Sequence, residues 1–194
     1  MFNRRPADRL ARVAVAVSSA ALLLSWNPAS GEDAGTVNVV EYYHAWFDHY
    51  FITGVNVEIA KLDDGVFDGW VRTGRQFKAY ARPGTGVSPV CRFFSNAFDA
   101  KSSHFYTPSS SECLVVKANP KWRYEGLMFY VAVPGIDGAC PPMTNAVYRL
   151  YNNGRGGAPN HRLTTDLGVR TSMIGQGWVP EGQGSLGVSM CIPR

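Results

Sequence analysis

The chain has 194 residues, with 19 Lys and Arg against 15 Asp and Glu, 4 Cys, 20 Gly, 12 Pro, 5 Trp, 9 Tyr and 10 Phe. Four arginines and Asp8 fall in residues 1–31, so the remainder carries 15 basic against 14 acidic residues, a net charge of +1 rather than +4. That balance, with no basic cluster longer than Lys117, Lys121 and Arg123, sets nucleic acid aside as a partner, because polyanion binding rests on a concentrated positive surface.

Residues 1–31 read as a secretory signal. Arg4, Arg5, Arg9 and Arg12 give a positive start, Val13 to Leu24 an apolar run, and Ala29-Ser30-Gly31 the small residues a signal peptidase reads. The run is twelve residues long, short of the roughly twenty that cross a bilayer. Cleavage is therefore expected, with no transmembrane segment left behind. Pro6-Ala7-Asp8 supply none of the apolar character a twin-arginine signal has after its arginines, so general secretion, to the periplasm or the exterior, is the expected address.

Residues 32–194 are expected to form one domain of three repeats, over about residues 38–81, 90–133 and 146–192. The first repeat begins with Val40-Glu41-Tyr42-Tyr43, a run of strand-forming residues. His49-Tyr50-Phe51-Ile52-Thr53 makes a second strand, Val57 to Leu62 a short helix, and Trp70-Val71-Arg72-Thr73-Gly74 the start of the closing strands. Arg82 to Pro89 is a turn-rich linker.

The second repeat runs Cys91-Arg92-Phe93-Phe94, then His104-Phe105-Tyr106-Thr107. Thr107 to Glu112 offers a capping residue, an early proline and an acidic first turn, so a helix should follow with Cys113, Leu114, Val115 and Val116 as its apolar face. Trp122-Arg123-Tyr124-Glu125-Gly126 then opens a strand, a turn at the glycine and a last strand over Leu127 to Val133. After the linker Pro134 to Pro142, the third repeat has Tyr148-Arg149-Leu150-Tyr151, a glycine-rich loop from Asn152 to Pro159, and His161-Arg162-Leu163-Thr164. A helix started by Thr165-Asp166 should present Val169, Met173 and Ile174, ahead of Trp178-Val179-Pro180-Glu181-Gly182.

The histidines of this phrase lie 55 and 57 residues apart and the tryptophans 52 and 56 apart. No single unit can bury its aromatics alone, so three should close around a common core. The expected fold is mainly β with three short helices, each unit being strand, strand, helix, strand, strand. A β-trefoil-like arrangement is expected, with a short β-propeller as the alternative. Cys91, Cys113, Cys140 and Cys191 all follow the signal, and an even count in an exported chain predicts two disulfides with three connectivities open. We expect Cys91 with Cys113 inside the second repeat, and Cys140 with Cys191 enclosing the third.

These phrases resemble a family of exported bacterial repeat domains of unknown function, marked by a strand like Tyr148-Arg149-Leu150-Tyr151-Asn152, then His-Phe-Tyr-Thr, then Trp-x-Tyr-Glu-Gly. The resemblance spans about residues 38–192 and is most specific in the second repeat, where His104 to Thr107 and Trp122 to Tyr130 match phrase for phrase. Such units are also similar to ones attached to bacterial wall lysins, which implies a ligand in the cell envelope. Thr73 stands where Glu125 and Glu181 stand, and Arg162-Leu163 replaces the aromatic pair, so the three repeats are not equivalent.

His49, His104 and His161 could converge as a three-histidine zinc set. A residue recurring in every repeat is more simply explained by repeated packing, each imidazole bonding its own repeat's backbone and resting on its tryptophan. Glu125 and Glu181 could form a glycosidase pair, or accept backbone N–H bonds beside their turn glycines. Tyr106, Trp122, Tyr124 and Trp178 offer flat rings with polar tips, on which sugars stack, although a tryptophan in each repeat also suits a core. No Gly-x-Ser-x-Gly, His-Glu-x-x-His or phosphate loop is present.

The expected ligand-binding set is His104, Tyr106, Trp122, Tyr124, Glu125, Tyr151, His161, Trp178 and Glu181, with no catalytic residue, metal or cofactor. The expected function is a monomeric, non-catalytic module for a cell-envelope or extracellular polysaccharide. The alternatives are a hydrolase using His and Glu residues of neighbouring repeats, and a structural or protein-interaction domain.

Overall fold

The computed structural model describes residues 35–98 and 101–194; the expected signal over residues 1–31 lies outside them. The described chain is mainly β with three short helices. The first unit contains β1 (Thr36–His44), β2 (His49–Thr53), α1 (Asn56–Asp63) and β3 (Trp70–Tyr80). The second contains β4 (Ser88–Phe98), β5 (Lys101–Thr107), α2 (Ser110–Lys117) and β6 (Arg123–Val131). The third contains β7 (Thr144–Tyr151), β8 (His161–Thr164), α3 (Leu167–Gly175), β9 (Val179–Glu181) and β10 (Val188–Pro193).

In each unit the first strand is central and antiparallel to both the second and the last. The units join edge to edge: β3 meets β6 at Tyr80 and Tyr130, and Ala132 bridges to Cys191 of β10. The result is an open six-stranded sheet, β2-β1-β3-β6-β4-β5, and a four-stranded one in which β7 pairs with β8, β9 and β10. This pairing by itself defines neither a trefoil nor a propeller.

Equivalent positions of the three units meet in one cluster. Val39, Val90 and Val147 are each 0% exposed, and Ile52, Tyr106 and Leu163 pack with them alongside Phe129 and Met190. Burial of each such side chain stabilises the fold by about 1.5–3 kcal/mol. Both expected disulfides form, Cys91 with Cys113 and Cys140 with Cys191.

The helices start where their caps lie. Ser109 accepts from the Glu112 N–H at the head of α2, and Asp166 accepts from the Val169 N–H at the head of α3. The apolar face expected of α2 is only half used, since Cys113 is buried while Leu114 and Val115 are exposed.

The turn expected at the Trp-phrase glycine is a β-bulge in the first two units. β3 and β6 run on through Gly74 and Gly126, with the register shifting opposite Glu41 and Arg92. These glycines and Gly182 have φ of +82°, +118° and +145°, a region side-chain-bearing residues avoid. A bulge sets two residues against one and re-aims a side chain. Only in the third unit does the strand break, residues 182–187 looping out between β9 and β10.

Candidate functional site

The strand register shows which residues are equivalent. Tyr43 faces Tyr50, Phe94 faces His104, and Tyr151 faces His161. Tyr50, not His49, therefore occupies the first unit's histidine position. His49 matches Ser103 and Asn160, and all three are 1% exposed.

These three tie each unit to the next. His49 Nδ1–H donates to the Ser102 carbonyl at 2.6 Å, the Ser103 hydroxyl donates to the Pro159 carbonyl, and Asn160 holds both the N–H and the C=O of Tyr50. The imidazoles thus do not rest on their own repeat's tryptophan. His104 lies 4.3 Å from the Phe51 ring of the unit before, and His161 lies 4.9 Å from Phe105 of the unit before. Among the described residues no group of three or more His, Cys, Asp or Glu is arranged to hold a metal.

A second set of contacts runs beside the histidines. Arg92 donates to both oxygens of Glu58 at 2.7 and 2.6 Å, and its Nε lies 2.8 Å from Glu125. Arg149 repeats this with Glu112, at 2.9 and 2.9 Å, and with Glu181, at 2.9 Å. In the contact between the third and first units the polarity is reversed: Glu41 accepts from Arg162 at 2.9 and 2.9 Å and from Thr73 at 2.7 Å. Glu125 and Glu181 face guanidinium groups rather than the backbone N–H groups expected. The reversal also accounts for both departures from the repeat pattern. A glutamate at position 73 would repel Glu41, and Arg162 supplies the cation that Glu41 needs, its guanidinium lying 4.0 Å over the Tyr50 ring.

The electrostatics follow from this pairing. Burial, reinforced by the Arg92 charge, lowers the His104 pKa to about 3. His49 and His161 are also lowered, burial outweighing the Ser102 and Glu181 bonds. Burial pushes Glu58, Glu112 and Glu181 upward, but their hydrogen bonds and charge partners leave each below the ordinary carboxylate range.

Between the first and second units lies a cavity of about 330 Å³. Phe51, Phe67, Trp70 and Phe94 give it flat apolar walls, and Glu58, Arg92, Arg123 and Glu125 line it with paired charges; His104 and Ser102 complete the polar part. Of the expected binding residues, His104 and Glu125 stand here. Tyr151, His161 and Glu181 form the related cluster between the second and third units, where Tyr151 stacks on His161 at 5.0 Å.

The others lie elsewhere. Tyr106 is 2% exposed and its hydroxyl donates to the Ile52 carbonyl, so neither ring face is open. Trp178 is 4% exposed against Leu150 and Met173, with Arg155 over its ring. Trp122 is half-buried beside Phe98 and Phe105, and Tyr124 is exposed under Lys117. Tyr124 pairs with Phe93 and Arg123 with Phe94, which puts Tyr124 on the face away from the cavity.

Sequence reasoning missed Arg92, Glu58, Phe51, Trp70 and Arg123. Their signal was available: Arg92 and Arg149 hold the same place in their strands, and Glu58 and Glu112 each stand five residues after the phrase threonine.

Fold and site together describe a mainly β, disulfide-bonded protein in which the order strand, strand, helix, strand recurs along the chain, with contacts built from guanidinium, carboxylate and aromatic groups. The family described as a domain of unknown function (DUF5648) matches the chain over residues 24–132 and 69–188, and the chain belongs to it. No curated protein and no solved structure matches the chain.

Proposed function

We propose that this protein is an exported, non-catalytic module that binds a polysaccharide of the cell envelope or its surroundings in the cavity between the first and second units. The carrying observation is the lining itself: Phe51, Phe67, Trp70 and Phe94 beside paired charges, in a concave space of about 330 Å³. Sugar sites combine aromatic faces with a few fixed polar groups in this way. Two disulfides suit an oxidising compartment, and no described helix is long and apolar enough to cross a membrane.

The same geometry weighs against hydrolysis. A general acid or base works best with a pKa near the operating pH. His104 titrates at about 3, and Glu58 is held below the usual range by Arg92 and Thr53 although burial opposes them. The test is retention of the purified protein on insoluble peptidoglycan and a panel of polysaccharides. Retention that free sugar competes away, and that Trp70→Ala abolishes, is expected. Passage through every polymer would refute the proposal.

A further inference from the structure

Resting on the carbohydrate reading above, we infer that the cavity between the first and second units recognises an uncharged sugar rather than an acidic or a basic one. Its four charged walls cancel, two guanidinium groups against two carboxylates. They are also already committed to one another. Both terminal nitrogens of Arg92 are held by Glu58, its Nε faces Glu125 at 2.8 Å, and Arg123 reaches the other Glu125 oxygen at 3.2 Å.

A carboxylate, sulfate or phosphate entering here would have to break one of these pairs before meeting Arg92, while Arg123, with its side chain 71% exposed, offers only a water-screened pair worth little. Arg92 is 6% exposed, and stripping a partner from so buried a charge costs more than a new exposed pair returns. An ammonium ligand meets the same obstacle at Glu58 and Glu125. His104 cannot supply a charge either, being neutral above its pKa of about 3. Hydroxyl groups need no net charge. They can accept from guanidinium edges and donate to carboxylate edges while the pairs stay intact.

The aromatic rings then set the fit. Trp70 stands T-shaped to Phe51 at 5.9 Å, and Phe67 is 46% exposed, so the cavity offers apolar ring surface where a pyranose presents its C–H face. The related tryptophan of the third unit has no such surface to offer, since Trp178 is buried under Arg155.

The experiment titrates the purified protein with fluorescently labelled neutral oligosaccharides (cello-, malto- and N-acetylated chito-oligomers), an acidic probe (oligogalacturonate) and a cationic one (deacetylated chito-oligomers), at low and high salt. Binding of a neutral probe is expected, with affinity changing less than about threefold between 50 mM and 500 mM salt, because no net charge is engaged. Trp70→Ala should weaken it at least tenfold, about 1.4 kcal/mol. Phe67→Ala, exposed and safe for folding, should weaken it by about fivefold. Preference for the acidic or cationic probe, with affinity falling as salt rises, would overturn the inference and leave the carbohydrate reading standing. Neutral binding untouched by both aromatic substitutions would also overturn it, by placing the site elsewhere. No binding of any probe would overturn both.

Discussion

Exchanging the charges of Glu41 and Arg162 tests whether the reversed pair is what closes the third unit on the first. Glu41 is 3% exposed and Arg162 8%, joined by two hydrogen bonds of 2.9 Å. Removing one partner of a buried pair costs about 3–5 kcal/mol. Reversing its sign adds repulsion, for which about 4 kcal/mol at 4 Å and an effective dielectric of 20 is the scale. Glu41→Arg alone, or Arg162→Glu alone, should therefore remove most of a typical stability of about 5–15 kcal/mol. The double exchange restores attraction, though not the stacking of Arg162 on Tyr50 or its contact with Met173. A coupling of about 2–3 kcal/mol is expected, read from urea unfolding followed by tryptophan fluorescence with the disulfides intact. If the singles do not fold, recovery of folded protein in the double is the same result in another form. Additivity of the two substitutions within about 0.5 kcal/mol would refute the pairing argument.

Trp178→Ala should cost about 3–5 kcal/mol as a core truncation, whereas exposed Tyr124→Ala should cost less than about 1 kcal/mol; equal losses would contradict the burial described. His104 binds its proton far less readily folded, at about 3, than unfolded, so the unfolded state takes up more protons as pH falls below about 6.5 and stability declines from there toward pH 3. The lowered Glu58, Glu112 and Glu181 add to the loss at more acidic pH. Melting temperature should drop between pH 7 and pH 4.5, and less steeply in His104→Gln; parallel profiles would count against the assignment. Replacing Cys91 and Cys113 together by Ala should cost about 3 kcal/mol, and replacing Cys140 and Cys191 about 4, from the chain-entropy model for separations of 22 and 51 residues. Guanidinium midpoints measure both; a larger loss from the shorter loop would reverse the expected order.

Much of this fold is legible because the repeat is written in the chain. Strand runs around Glu41, Arg92 and Arg149 and the helix start at Asp166 follow from local residues; the even cysteine count gives two disulfides but leaves three pairings open, and the cap of α2 falls at Ser109, two residues after Thr107. What misled was spelling. His49 precedes the Tyr-Phe-Ile-Thr phrase and so reads as the counterpart of His104, yet strand pairing assigns that role to Tyr50, because one extra residue separates His49 from its threonine. The turn at Gly74 and Gly126 was misread because a bulge uses the same positive-φ glycine as a turn. Glu125 looked catalytic or capping in isolation. Its partner Arg92 lies over thirty residues away, and Glu58 belongs to another unit, so only the folded chain brings the three together.

The most direct test of the cavity as the binding site is to follow the tryptophan indole N–H signals by ¹⁵N NMR while titrating the neutral oligosaccharide that binds best. Trp70 lines the cavity and Trp178 is buried away from it. A saturable shift of the Trp70 signal with Trp178 unmoved is the predicted result; binding that shifts Trp122 and leaves Trp70 in place would contradict it.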